Sequence, residues 1–124
     1  MKQRVLIVED DHKILISLRF LLSNAGYEVI TASDGVLGWA ALEDLKPELA
    51  VFDIMLPGLE GYELCRRVRA APMLEGVKVL ILSARGLDAE VARGLQLGAD
   101  AYLRKPFGTR ELLETIKSLL EERK

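Results

Sequence analysis

The chain of 124 residues is short of cysteine, of histidine and of surplus positive charge. A lone thiol, Cys65, cannot close an internal disulfide, which fits a reducing compartment, so the expected location is the cytoplasm. A single histidine, His12, leaves no Cys/His cluster of the kind that holds zinc. Lys and Arg number 17 against 19 Asp and Glu, a net charge of −2, so composition makes no case for direct nucleic-acid binding. No apolar run approaches the roughly 20 residues of a membrane span, and the start lacks a signal-peptide pattern. Linkers, repeats and low-complexity tracts are missing too, and the length suits one domain over residues 1–124. A chain of this size buries roughly two-thirds of its unfolded surface, enough for a core without staples.

What is present is alternation. Short apolar runs predict strands at Val5–Val8, Glu28–Ala32, Leu49–Phe52, Val77–Leu82 and Ala101–Leu103. Several are β-branched and nearly continuous in hydrophobicity, as strands covered on both faces should be. Helical spacing predicts helices near His12–Asn24, Val36–Leu45, Leu59–Ala70, Asp88–Leu97 and Arg110–Glu122. In the last, Leu112, Leu113, Ile116, Leu119 and Leu120 make one apolar stripe, with Gly108 as its cap. Gly61, Leu64, Cys65 and Val68 share a face of the third helix, so Cys65 reads as a small core residue. Gly26 and Gly98 each follow a helix, where a left-handed residue ends it cheaply. Five βα units imply an α/β fold with one doubly wound parallel sheet, helices on both faces and right-handed crossovers.

In such sheets the functional site lies at the carboxyl ends of the strands. Glu9-Asp10-Asp11 follows the first strand, Asp53 the third, Ser83-Ala84 the fourth and Lys105-Pro106 the fifth. Ser33-Asp34, after the second, reads as turn and cap chemistry. Two unit charges about 4 Å apart repel by about 4 kcal/mol at an effective dielectric near 20. Either protons stay bound or a cation belongs there. Oxygen donors favour Mg²⁺ (or Mn²⁺). Lys105 brings a positive charge, Ser83 a hydroxyl and Ala84 an N–H, the parts of a phosphoryl-transfer site in which a carboxylate such as Asp53 can itself be the nucleophile. Taken singly, each piece has an ordinary reading: an acid pair is turn or cap chemistry, a Ser caps a helix, a Lys before Pro marks a loop. Their convergence on one sheet edge is what points to a site.

Glu9-Asp10, "VFDIMLPGLEG" (Val51–Gly61), "LILSA" (Leu80–Ala84) and "GADAYLRKPF" (Gly98–Phe107) resemble the receiver domain of two-component response regulators, over essentially the whole chain. The resemblance implies a five-stranded flavodoxin-like three-layer sandwich with strand order 2-1-3-4-5. It implies that Asp53 accepts a phosphoryl group from the phosphohistidine of a sensor histidine kinase or phosphotransfer protein. Glu9 and Asp10 would hold Mg²⁺ together with Asp53 and the backbone carbonyl of Met55, and Lys105 would pair with the carboxylate and then with the phosphoryl group. The bond between Lys105 and Pro106 would be cis. Ser83 and the Ala84 N–H would move to bond the phosphoryl group, with Tyr102 rotating behind them, so that Ser83 and Tyr102 form the switch. The change would reach the face of the fourth helix, fifth strand and fifth helix. That face would meet a downstream protein target or a missing output domain, or form a weak dimer of an otherwise monomeric chain. The expected role is a signalling domain with at most slow self-dephosphorylation, no output domain in this chain and no membrane contact. Gly94, inside the fourth helix at about 1 kcal/mol relative to Ala, predicts a helix that shifts easily; close packing against the sheet is the alternative.

Other residues read as structural. His12 is a first-turn surface residue, Trp39 is half-buried packing, and Arg66, Arg67 and Arg69 form a solvated helix face. Met55 and Arg85 occupy places that tune phosphate lifetime in the family. Asp100-Ala101 and Thr115 depart from the Asp-Asp and Arg with which the winged-helix subgroup bridges a dimer. Two rival functions fit the residues less well. A Mg²⁺-dependent phosphohydrolase with an aspartyl phosphate would carry Asp-x-Asp, but the second place holds Met55. A flavodoxin-like cofactor binder needs a Gly/Ser/Thr loop where the chain has Glu9-Asp10-Asp11.

Overall fold

A computed structural model describes residues 2–83 and 88–121. The chain runs β1 (Arg4–Val8), α1 (His12–Asn24), β2 (Glu28–Ala32), α2 (Gly35–Leu45), β3 (Leu49–Asp53), α3 (Gly61–Ala70), a short 3₁₀ turn (Pro72–Leu74), β4 (Lys78–Ser83), α4 (Asp88–Gln96), β5 (Ala101–Arg104) and α5 (Thr109–Glu121). The five strands are all parallel, in the order β2-β1-β3-β4-β5. This is the expected order, and its reversal on either side of β1 and β3 opens a crevice at the carboxyl ends of those two strands.

The near-continuous apolar runs divide between two cores. Leu6 and Val8 of β1, Ala50 and Phe52 of β3, and Val79 and Ile81 of β4 face one cluster with Leu42 of α2 and Leu64, Cys65 and Val68 of α3. Their neighbours Val5, Ile7, Leu49, Val51, Leu80 and Leu82 face the other, with Leu18 and Leu22 of α1 and Leu112, Ile116, Leu119 and Leu120 of α5. Successive strand residues point to opposite faces, so a strand buried on both needs an unbroken apolar run. Each fully buried Leu, Ile or Phe side chain contributes roughly 1.5–3 kcal/mol, and the central strands supply most of them.

The helix ends follow local chemistry. Asp11 caps α1, its Oδ1 accepting the N–H groups of Lys13 and Ile14, and Asp34 caps α2 through the N–H of Leu37. Gly26 and Gly98 hold φ of 100° and 107°, the left-handed conformation expected of them. Lys46 adopts the same region at φ 44°, ending α2 without a glycine. The 3₁₀ turn was not expected, and it shifts the start of β4 from Val77 to Lys78, because the Val77 N–H is taken by the Leu74 carbonyl. Cys65 is fully buried, and its Sγ lies 3.5 Å from the Leu97 carbonyl.

Candidate functional site

The three acids after β1 separate at once. The Glu9 N–H donates to the Ala32 carbonyl, extending the β1–β2 pairing by one residue and carrying the side chain inward. Glu9 is only 3% exposed. Its Oε2 accepts the Asp11 N–H at 3.1 Å, so the helix cap in turn holds the buried acid. Asp10 is exposed and lines a groove of about 380 Å³ with Met55, Glu60, Tyr62 and Arg93.

Asp53 is the last residue of β3, opposite Leu82 of β4. Its Oδ1 accepts the Met55 N–H at 3.0 Å and its Oδ2 accepts the Lys105 ammonium at 2.6 Å. Lys105 also donates to Glu9 Oε1 at 3.1 Å. The lysine follows β5, where its N–H pairs with the Ser83 carbonyl at 2.8 Å, and the Lys105–Pro106 peptide is cis. One cation thus bridges carboxylates from two neighbouring strands.

The loop behind Asp53 turns tightly. The Gly61 N–H returns to the Ile54 carbonyl at 2.8 Å, and a Cβ on Gly61 would collide with the Asp53 carbonyl oxygen and stand 2.7 Å from Ile54 Cα. The glycine that opens α3 is therefore required by close approach to the strand end. It is also why α3 begins at Gly61, two residues later than the periodicity predicts.

Burial sets the electrostatics. Burial pushes the Glu9 carboxyl above its ordinary range, and the Asp11 N–H and Lys105 only partly offset this. Burial alone would push Lys105 down, but the hydrogen bond and charge of Asp53, then those of Glu9, outweigh it and hold the ammonium above its usual value. Glu9, Asp10 and Asp53 against Lys105 still leave the edge net negative. Their donors are all hard oxygens, which suits Mg²⁺ or Mn²⁺. As the side chains stand, Lys105 occupies two of the three acids, and among the described residues no three His, Cys, Asp or Glu side chains converge as a cage.

The remaining expected residues lie around this centre. Ser83, 1% exposed, ends β4. Ala84 lies outside the described residues, as do Arg85 and Gly86. Tyr102, half-buried in β5, packs against Gly94 of α4: a Cβ there would stand 3.2 Å from the ring and 3.3 Å from Ile81 Cδ1. The close-packing alternative therefore accounts for that glycine. Arg69 leaves the expected solvated face, with Nε on the Gly98 carbonyl at 2.7 Å and Nη2 on Asp100 at 2.5 Å. Two features escaped the sequence reading. Arg93 stacks 4.4 Å over the Tyr62 ring at the groove beside Asp10, and Gly35 packs on the loop after Asp53. The only signal for the second was the glycine following Asp34.

A family model for the response regulator receiver domain matches residues 5–117. The chain is 40% identical over 124 residues to the phosphate regulon transcriptional regulatory protein PhoB of Rhizobium meliloti (strain 1021), covering all of this chain and 55% of that protein. It therefore spans about half the length of this curated relative. A receiver domain protein (CheY-like) from Methanospirillum hungatei JF-1 superposes with a TM-score of 0.93 at 38% identity, covering 99% of this chain and 97% of that one. The receiver domain of the sensor histidine kinase PA1611 from Pseudomonas aeruginosa PAO1, whose crystal structure has a magnesium ion in its active site cleft, superposes with a TM-score of 0.89 at 29% identity, covering 98% and 99%.

Proposed function

The chain belongs to the response regulator receiver domain family, and from that premise we propose that Asp53 is its phosphoacceptor. The observation that carries this reading is the Lys105 ammonium held between Asp53 and Glu9 at the carboxyl edge of the sheet. Both oxygens of Asp53 are engaged by fixed donors, so the carboxylate is oriented before any phosphoryl donor arrives. In the proposed reaction a carboxylate oxygen attacks the phosphorus of a kinase or phosphotransfer phosphohistidine. An O–P bond forms as the N–P bond breaks, and the departing electron pair remains on the imidazole. Lys105 lies within reach of the oxygens on which negative charge accumulates. Glu9, Asp10, Asp53 and the Met55 carbonyl would hold Mg²⁺, which supplies charge neutralisation to the incoming phosphoryl group.

The added phosphoryl group brings about two negative charges and new acceptor oxygens beside Ser83. We assign Ser83 and the Ala84 N–H as the groups that answer it, with Tyr102 as the moving ring. Ser83 is already coupled to the site through its carbonyl, which accepts the Lys105 N–H. The receiving surface is the face of α4, β5 and α5, open to a downstream protein or to an output domain. No described helix is long and apolar enough to cross a membrane.

Intact mass after incubation with acetyl phosphate and Mg²⁺ tests the assignment. A single phosphoryl adduct is expected on the natural chain and none on Asp53→Ala. The same adduct on both proteins would reject Asp53.

A further inference from the structure

We propose that the start of α2 is a positioning element for the loop that orients Asp53, and that Gly35 is the residue on which it depends. This rests on the reading of Asp53 given above. The loop of residues 54–60 controls the carboxylate directly, because the Met55 N–H holds Asp53 Oδ1. Within the loop the Leu56 N–H bonds the Ile54 carbonyl and the Leu59 N–H bonds the Pro57 carbonyl, while Gly61 ties its end to Ile54. From outside, the Gly35 N–H donates to the Pro57 carbonyl at 3.1 Å.

Gly35 is buried against the loop backbone. A Cβ there would overlap the Leu59 carbonyl oxygen and stand 2.6 Å from its carbonyl carbon. These are backbone atoms, which cannot turn aside as the end of a side chain can. Gly35 has no left-handed φ, so the need for glycine is one of contact and not of conformation. The next residue, Val36, lies over Gly58, whose own φ is 80°. The first turn of α2 is itself held from two sides. Asp34 caps it at the close of β2, and Gly38 rests on Val8, the residue before Glu9. The first turn of α2 therefore touches both the strand that precedes the acids and the loop that aims the nucleophile.

A methyl group at position 35 must push the loop outward, and a misplacement of about 1 Å at a reacting group slows a reaction by up to about 100-fold. Phosphorylation of Gly35→Ala by acetyl phosphate with Mg²⁺ should therefore slow by about 10- to 100-fold, read by intact mass against the folded fraction. Amide exchange at Met55 and Gly61 should accelerate in the metal-free protein. Leu42→Ala supplies the contrast. It removes core packing from the same helix, so its melting temperature falls, but it leaves the loop contact intact and should keep the natural rate and loop exchange. If Gly35→Ala does not fold, Val36→Ala, an exposed truncation, should show the same exchange signature with a smaller slowing. Natural rates in the folded Gly35→Ala or Val36→Ala proteins, or equal slowing in Leu42→Ala, overturn the proposal while a silent Asp53→Ala leaves the phosphoacceptor reading standing. An adduct that survives in Asp53→Ala overturns both.

Discussion

At the carboxyl edge of the sheet Glu9 meets the Lys105 ammonium at 3.1 Å; on the outer face of α3 Glu63 meets Arg66 at 2.5 Å and Arg67 at 3.2 Å. Both are glutamates beside cations, yet they titrate in opposite directions. The Arg66 hydrogen bond draws Glu63 down to about 2; it outweighs the loss of water that opposes it, and the Arg67 hydrogen bond adds to the pull. Glu9 is raised, because withdrawal from water outweighs the Asp11 N–H and Lys105 together. A cationic neighbour alone does not decide the charge of an acid; the water it has given up does. An ionised Glu9 at the sheet edge is therefore held at the expense of stability, whereas an ionised Glu63 on the surface of α3 brings a small gain.

Removing the cation from the buried side should produce the largest effect. Lys105→Ala removes the ammonium between Glu9 and Asp53 and leaves each with one backbone N–H, and stability at pH 7 should fall by about 1–3 kcal/mol in metal-free buffer. The loss should shrink near pH 4, as Glu9, whose carboxyl is raised, takes up its proton. Thermal melts at both pH values check this, and an unchanged melting temperature at pH 7 would show that the lysine offsets nothing there.

Neutralising the two glutamates in turn should give smaller effects of opposite sign. The folded value of Glu9 lies above 4.5, so its contribution to stability is complete below pH 4.5 and is lost as pH rises through the folded value. Glu9→Gln keeps an acceptor for the Asp11 N–H and should raise the melting temperature at pH 7, with the gain gone below pH 4.5. The folded value of Glu63 is about 2, so its contribution is present above 4.5 and is lost as pH falls toward 2. Glu63→Gln should lower the melting temperature slightly at pH 7, and added salt should erase the difference. Shifts of the same sign in both variants would remove the contrast on which this account of the site stands.

The strands and helices were legible because burial on both faces of a parallel sheet forces unbroken apolar runs, and each helix stripe keeps its period. Helix α1 and strand β2 fall on the expected residues. The misses sit where local rules give way to tertiary contacts. The turn at Pro72–Leu74 has no apolar period to reveal it, and α3 starts late because Gly61 is committed to Ile54. Asp53, expected after β3, belongs to it, since the ladder to Leu82 runs one residue further than the apolar run. At the site, Glu9, Asp53 and Lys105 were legible as chemistry at strand ends. The division of labour among the three acids was not. Whether an acid is buried, exposed or capping a helix depends on where α1 begins, and only the fold brings Asp11 back to Glu9. Gly35 was hidden for the same reason: its partner, Leu59, lies 24 residues away in the chain and leaves no periodic trace.

A crystal structure with magnesium and beryllofluoride tests the central claim most directly. Beryllofluoride is expected on the Asp53 carboxylate within reach of Lys105, and magnesium against Glu9 and Asp10. Either group bound elsewhere, or absent from a fully soaked crystal, would contradict it.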